Sequence, residues 1–77
     1  LEFRMQEILV RPGSPLAGRS LQEANLREER GVLILAMRNT DGTFDTNPPS
    51  TTVCQVGKVL IAVGTDADLG ALLTWAA

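Results

Sequence analysis

The sequence contains no histidine and a single cysteine, Cys54. Without histidine, the Ser-His-Asp and Cys-His arrangements that activate nucleophiles in many enzymes cannot form. One cysteine cannot form an internal disulfide, and without histidine it cannot complete the Cys and His ligand set of a typical zinc site. Among the nine Asp and Glu residues, no pair stands out for acid/base catalysis. We therefore expect that the chain is not an enzyme.

A surplus of basic residues is also missing. Seven Lys and Arg are set against nine Asp and Glu, and the basic residues are dispersed along the chain rather than clustered. Proteins that bind nucleic acid neutralise its phosphates with grouped basic side chains. The composition therefore predicts that nucleic acid is not a partner.

No apolar run approaches the roughly 20 residues that a membrane-spanning helix needs. The 77 residues have room for one domain, which we expect over 1–77 with its core at about 5–73. A chain of this length hides only roughly 60% of its unfolded surface. We therefore expect a homodimer, which would enlarge the thin core. Because the chain begins at Leu1 rather than at Met, we interpret it as a fragment of a longer protein.

The first part of the chain predicts a strand followed by a helix. Apolar and polar residues partly alternate over 3–10, which is typical of an edge strand or a half-buried strand. The Pro-rich stretch 11–16 then forces a turn. Ser20 and Glu23 have the spacing of a capping box, which predicts a helix over 21–30 that ends at Gly31.

The second part predicts three strands and a final helix. The apolar run "VLILAM" at 32–37 is typical of a central strand covered on both faces. Asp41-Gly42 is a hairpin signal, so a short strand at 43–45 should return along it. "KVLIAVG" at 58–64 predicts another strand, and a helix follows over 67–75. The order β-α-β-β-β-α predicts a small α/β (α+β) domain.

Acidic residues in the second half allow an alternative interpretation, a calcium site around "DGTFDTN" at 41–47. The glycine of this stretch is misplaced for the helix-loop-helix calcium motif, and Thr52 stands where a bidentate Glu is required. Hydrogen bonding in turns and helix caps explains these acidic residues better than calcium binding does.

"VRPGSPLAGRSLQEANLREERGVLILAMRNTDG", followed by "NPPSTTVCQVGKVLIAVGT", resembles the C-terminal domain of regulators of potassium conductance, the TrkA-C type. The pattern of that family is Ser-Pro-Leu-x-Gly, a short Leu-rich helix, an apolar strand that ends in Arg, a Gly-containing turn and a Pro-containing loop. The similarity covers about residues 5–73. The chain departs from the family at Gly57-Lys58, where Gly-Asp is usual, so any role of that Asp is in doubt here.

The resemblance implies a dimeric, cytoplasmic regulatory domain at the inner face of the membrane. Its implied partner is a membrane-embedded potassium channel or cation transporter, in the same chain or a separate one. It implies no certain cofactor, but some members bind cyclic di-AMP or another nucleotide between two subunits. The alternative is a dimerisation or gating module without any small ligand.

Carried over to this sequence, the resemblance implies a ligand site on the central strand and the loop after the hairpin. On the strand the implied residues are Ile34, Met37, Arg38 and Asn39, and on the loop they are Asn47, Pro48 and Pro49. The Arg38 guanidinium would bind phosphate, an Asn amide would read a base edge, and the prolines would pack on the base. We expect no metal site.

Overall fold

The computed structural model describes residues 2–77; Leu1, the expected start of the domain, lies outside them. The described residues form four strands and three helices. In chain order these are β1 (Arg4–Leu9), α1 (Leu21–Ala24), α2 (Leu26–Arg30), β2 (Leu33–Arg38), β3 (Phe44–Thr46), β4 (Val59–Gly64) and α3 (Asp66–Trp75). The α+β class and the order of the elements are confirmed, with the predicted first helix divided in two.

The strands form one antiparallel sheet in the order β1-β4-β2-β3. β1 and β3 are its edges, in agreement with the edge position predicted for the first strand. β3 follows a tight turn and returns along β2, with Arg38 opposite Phe44 and Ala36 opposite Thr46. As expected, Asp41-Gly42 forms that turn. The register between β2 and β4 shifts between Ile34 and Ala36, so Leu35 is the additional residue of a bulge.

The first helix begins where its sequence signal predicts. The backbone N–H of Glu23 donates to Ser20 Oγ at 3.1 Å, and the backbone N–H of Ser20 donates to Glu23 Oε1 at 2.9 Å. These two bonds complete a capping box. The prediction of one continuous helix over 21–30 is wrong, because Asn25 adopts the left-handed conformation with φ 50° and ψ 44°. Asn tolerates this conformation better than most residues, so the chain turns there and starts α2.

The helices cover one face of the sheet, which we call the inner face. Ile8, Met37, Leu60 and Ala62 point from the strands into the core, and none of them is more than 1% exposed. The core is completed by residues of the helices and loops, among them Val10, Leu16, Ala24, Leu26, Val32, Cys54, Leu69 and Leu72.

The expectation that 32–37 is covered on both faces is wrong. β2 has a strand on each side, but Leu33 and Leu35 remain 48% and 44% exposed on the face away from the helices. An unbroken apolar run therefore reflects core contact on one side of this strand and a bare apolar surface on the other. We call that second side the outer face.

The Ser-Pro-Leu-Ala-Gly stretch carries the chain from β1 to α1. Ser14 is buried, and its Oγ accepts a bond of 3.1 Å from the backbone N–H of Leu16, whose side chain is fully buried. Gly18, at φ 82°, donates its N–H to the carbonyl of Cys54 at 2.9 Å. A side chain at Gly18 would be strained in this conformation. The stretch therefore ties the long loop before β4 to the core.

α3 packs on the inner face against β1 and β4. Thr65 caps it, accepting a bond of 3.2 Å from the backbone N–H of Asp68. The Arg30 guanidinium lies 4.2 Å from the centre of the Trp75 ring, a cation–π contact that joins α2 to α3. None of the helices formed by residues 2–77 is both long and apolar enough to cross a bilayer.

Candidate functional site

A groove of about 310 Å³ lies between the two short helices and the edge of the sheet formed by β2 and β3. α1 and α2 form one wall, the first residues of β2 form the floor, and the loop that follows β3 forms the other wall. Its lining residues are Leu21, Gln22, Leu26, Arg27, Val32, Leu33, Ile34, Asn47, Pro48 and Ser50. We call this space the helix–loop groove.

Backbone hydrogen bonds fix the loop over the floor of the groove. Asn47 leaves β3 in the left-handed conformation, with φ 48°, and donates its N–H to the carbonyl of Leu35 at 2.9 Å. Pro48 follows and is half-buried. The carbonyl of Ser50 then accepts from the backbone N–H of Gln22 at 2.9 Å. The loop is thus anchored to β2 at one end and to α1 at the other, so the groove is preformed.

The groove combines an apolar interior with one cation. Ile34 and Pro48 offer flat aliphatic surface, and Arg27 lies at the helical wall with its side chain exposed. Within residues 2–77, Arg27 forms no salt bridge, unlike Arg4 and Arg38. A guanidinium without a carboxylate partner beside apolar surface suits a ligand with an anionic group and a flat apolar part.

The structure brings together only some of the residues implied at the sequence level. Ile34, Asn47 and Pro48 line the groove together. Pro49 is exposed in the same loop but is not among the lining residues. Met37 points into the core and is 0% exposed, so its side chain offers no surface to a ligand.

Arg38 does not line the groove. The resemblance implies one site for Arg38 and the loop at 47–49, but the structure places them apart. β3 runs antiparallel to β2, so the loop after β3 returns to Leu35, while Arg38 is at the opposite end of β2. The side chain of Arg38 crosses the outer face to Glu7 on β1. Its Nη1 and Nη2 lie 3.3 and 3.2 Å from the two carboxylate oxygens.

Asn39 belongs to the hairpin turn. Its Nδ2 donates to Thr43 Oγ1 at 3.1 Å and to Asp45 Oδ2 at 3.2 Å. Asp41 Oδ1 accepts from the hydroxyl and the backbone N–H of Thr43, and both bonds lower the pKa of Asp41, the hydroxyl bond more strongly. The acids of this stretch are thus engaged in turn chemistry, as we expected, and no group of three or more metal-ligating side chains is found in residues 2–77.

Arg27 was missed at the sequence level. In a continuous helix over 21–30 it falls on the face that points to water. The turn at Asn25 reorients the second half of that segment and places Arg27 at the groove. The signal available in the sequence was Asn25 itself, a residue that favours helix ends over helix interiors.

The TrkA-C domain model matches residues 5–77. The chain belongs to the TrkA-C family. "Potassium channel protein 1" of Methanocaldococcus jannaschii is 37% identical over 54 residues, which are 70% of this chain and 16% of that protein. "Probable potassium channel protein 2" of the same organism is 31% identical over 68 residues, or 88% of this chain and 20% of that protein. The chain thus spans about a fifth or less of these relatives.

Solved structures of this family share the fold and include nucleotide complexes. The RCK_C domain dimer of S. agalactiae BusR in complex with c-di-AMP is 27% identical, with a TM-score of 0.82 and 92% of each chain covered. The KtrA RCK_C domain in complex with c-di-AMP is 25% identical, also with a TM-score of 0.82, covering 95% of this chain and 82% of that one. The GsuK channel, with a TM-score of 0.75, is bound to NAD.

The exclusion of nucleic acid as a partner is wrong. BusR of S. agalactiae is also known in complex with its busAB-promoter DNA, with a TM-score of 0.82 and 27% identity to this chain. The match covers 92% of this chain but only 34% of that one. Dispersed charge within one domain says nothing about the remainder of a longer protein, so composition could not support the exclusion.

Proposed function

We propose that this chain is a ligand-sensing regulatory domain of a potassium or other cation transport protein, and that its helix–loop groove binds an adenine dinucleotide such as cyclic di-AMP. The observation that carries the proposal is the groove itself, in which Arg27 stands free of carboxylates beside Ile34 and Pro48. The c-di-AMP complexes of similar RCK_C domains support this choice of ligand.

Each part of the ligand has a matching group in the groove. A purine ring can pack on the aliphatic surfaces of Ile34 and Pro48, and the side-chain amide of Asn47 can bond the edge of the base. The Arg27 guanidinium offers two parallel N–H groups to one phosphate. Since Asn47 is held by its own backbone bond to Leu35, little order has to be gained when the ligand binds.

The symmetry of the ligand suggests how binding is transmitted. Cyclic di-AMP has two equivalent halves, and a homodimer has two equivalent grooves. One ligand that contacts both grooves would hold two domains in one relative orientation. A regulatory domain can pass such a change of orientation to the transport protein to which it belongs.

Isothermal titration calorimetry with cyclic di-AMP tests the proposal. The 77-residue chain should bind the ligand, and Arg27→Ala should weaken binding at least tenfold because the phosphate loses its bidentate donor. Arg11→Ala is the matched control, since it removes the same charge from an exposed position after β1, the opposite edge of the sheet. NAD serves as the second nucleotide, because the GsuK channel is bound to it.

The proposed ligand class is wrong if neither nucleotide binds, or if Arg27→Ala binds as tightly as the unmodified chain. A specific feature then favours the second candidate function, a dimerisation or gating module without a ligand. That feature is the exposed apolar outer face, which carries Leu33, Leu35 and Phe44.

A further inference from the structure

The helix–loop groove carries a pair of neutral polar side chains at its rim. Gln22 on α1 and Ser50 in the loop after β3 both line the groove and are exposed. Within residues 2–77 neither side chain forms a hydrogen bond, whereas the amide of Gln6 donates to the carbonyl of Glu7 at 3.3 Å. The donors and acceptors of Gln22 and Ser50 are therefore available to a ligand. We call these two residues the rim pair.

Backbone hydrogen bonds hold the rim pair together. The N–H of Gln22 donates to the carbonyl of Ser50 at 2.9 Å, and the N–H of Leu21 donates to the carbonyl of Thr52 at 2.9 Å. These two bonds join the helical wall of the groove to its loop wall. The side chains of Gln22 and Ser50 thus start from neighbouring backbone positions, which are fixed before any ligand binds.

The rim pair lies where the proposed base contacts and the proposed phosphate contact meet. Ser50 follows the base contacts, Asn47 and Pro48, on the loop wall. Gln22 precedes the phosphate contact, Arg27, on the helical wall. In a nucleotide the sugar links the base to the phosphate. A group at the junction of the two walls is therefore placed to contact the sugar.

The chemistry of the rim pair suits a sugar hydroxyl better than a phosphate. Neither side chain is charged, and the guanidinium of Arg27 is the stronger phosphate ligand. The Gln22 amide both donates and accepts hydrogen bonds, and so does the Ser50 hydroxyl. The 2′-hydroxyl of ribose also does both, and it is the group by which a protein distinguishes a ribonucleotide from a deoxyribonucleotide.

We propose that the rim pair binds the 2′-hydroxyl of ribose, so that the groove selects ribonucleotides over their 2′-deoxy analogues. This inference deepens the proposed function and rests on it for the nucleotide class of the ligand. When a deoxy analogue binds, Gln22 and Ser50 lose water and gain no partner in its place. Because both side chains are exposed, they keep part of their hydration, and the expected discrimination is about tenfold.

Isothermal titration calorimetry with cyclic di-AMP and with its 2′-deoxy analogue, cyclic di-dAMP, tests the selection. The unmodified chain should bind cyclic di-AMP about tenfold more tightly than cyclic di-dAMP. The two ligands have the same bases and the same phosphate charge, so the contacts of Arg27, Asn47 and Pro48 contribute equally to both. Equal affinities for the two ligands would overturn the inference and leave the proposed function standing.

Paired alanine substitutions assign the selection to the rim pair. A chain with both Gln22→Ala and Ser50→Ala should bind cyclic di-AMP as weakly as cyclic di-dAMP, while its affinity for cyclic di-dAMP should equal that of the unmodified chain. The matched control carries Thr51→Ala and Gln55→Ala. These two residues are exposed and are not among those that line the groove, so the control should keep the preference for cyclic di-AMP.

Two results with the Gln22→Ala, Ser50→Ala chain would also overturn the inference. A preference for cyclic di-AMP that persists would mean that the hydroxyl is bound elsewhere, and an equal loss of affinity for both ligands would mean that the residues only support the groove. If neither ligand binds the unmodified chain, the proposed function fails and the inference fails with it. Circular dichroism establishes that each variant is folded.

Discussion

Glu23 shows how an exposed side chain can stabilise this fold. Its carboxylate accepts the backbone N–H of Ser20 at 2.9 Å, and this bond lowers the pKa of Glu23 from its ordinary value of 4.5. The hydroxyl of Ser20 lowers the pKa further. A group whose pKa is lower in the folded state stabilises the fold above its unfolded pKa, and this contribution disappears as the pH falls through the folded value.

We predict that the capping box makes folding sensitive to acid. Between pH 7 and pH 3 the urea midpoint of the unmodified chain should fall, and in Glu23→Gln it should fall less, since the variant has no proton to gain at this position. Glu28→Gln removes the same charge from the exposed side of α2, outside the capping box, and is the control. Equal acid sensitivity of Glu23→Gln and the unmodified chain would contradict the prediction.

The residues of the candidate site were only partly predictable from the sequence. Ile34, Asn47 and Pro48 were implied by the family resemblance, and the structure places all three along one groove. Arg38 was implied by the same resemblance, but the direction of its side chain depends on the register with β1 and β4, which is set by long-range pairing. Arg27 was missed because a single left-handed residue decides which side of its helix faces the sheet.

At the scale of elements, the turn at Asn25 shapes the groove. The N–H of Asn25 donates to the carbonyl of Leu21 at 3.0 Å, which ends α1, and its own carbonyl accepts from the N–H of Glu29 at 3.0 Å, which starts α2. The side chain of Asn25 forms no capping bond at the start of α2. Asn25 therefore shapes the groove through its backbone conformation and not through a side-chain bond.

Substitutions at Asn25 should separate conformation from side-chain contact. Asn25→Ala should lower the free energy of unfolding by about 1 kcal/mol, because a Cβ without a local hydrogen bond is disfavoured at positive φ. Asn25→Gly should leave it within about 0.5 kcal/mol of the original value, since Gly adopts this conformation freely. Urea unfolding measures both variants. A greater loss for Gly than for Ala would show that the side chain matters instead.

Local sequence signals predicted the boundaries of the helices and turns better than they predicted which side chains are buried. Ser20 with Glu23 and Asp41-Gly42 each fix a boundary through bonds between near neighbours, and the start of α1 and the hairpin turn lie where expected. The burial of the side chains of β2 could not be predicted from such short-range signals. An apolar run indicates that its side chains avoid water, and the structure of one copy nevertheless leaves Leu33 and Leu35 exposed.

At the scale of the whole molecule, the groove and the outer face meet at Leu33. In the proposed homodimer, one cyclic di-AMP contacts the grooves of both copies, so a ligand in one groove is close to the partner copy. Binding and association are then linked, because a ligand that prefers the dimer stabilises it by mass action. The same linkage requires that loss of the dimer weakens binding.

Calorimetry should therefore give a stoichiometry of one cyclic di-AMP for every two chains, since each half of the symmetric ligand occupies one groove. Leu35→Glu should weaken binding at least tenfold although Leu35 is not among the residues that line the groove, because it places a charge on the exposed apolar face through which two copies would associate. Leu73→Glu, with a similarly exposed leucine on α3, should bind as the unmodified chain does. A stoichiometry of one ligand per chain, or full affinity in Leu35→Glu, would mean that each groove acts alone. Nucleotide binding would then be independent of the outer face.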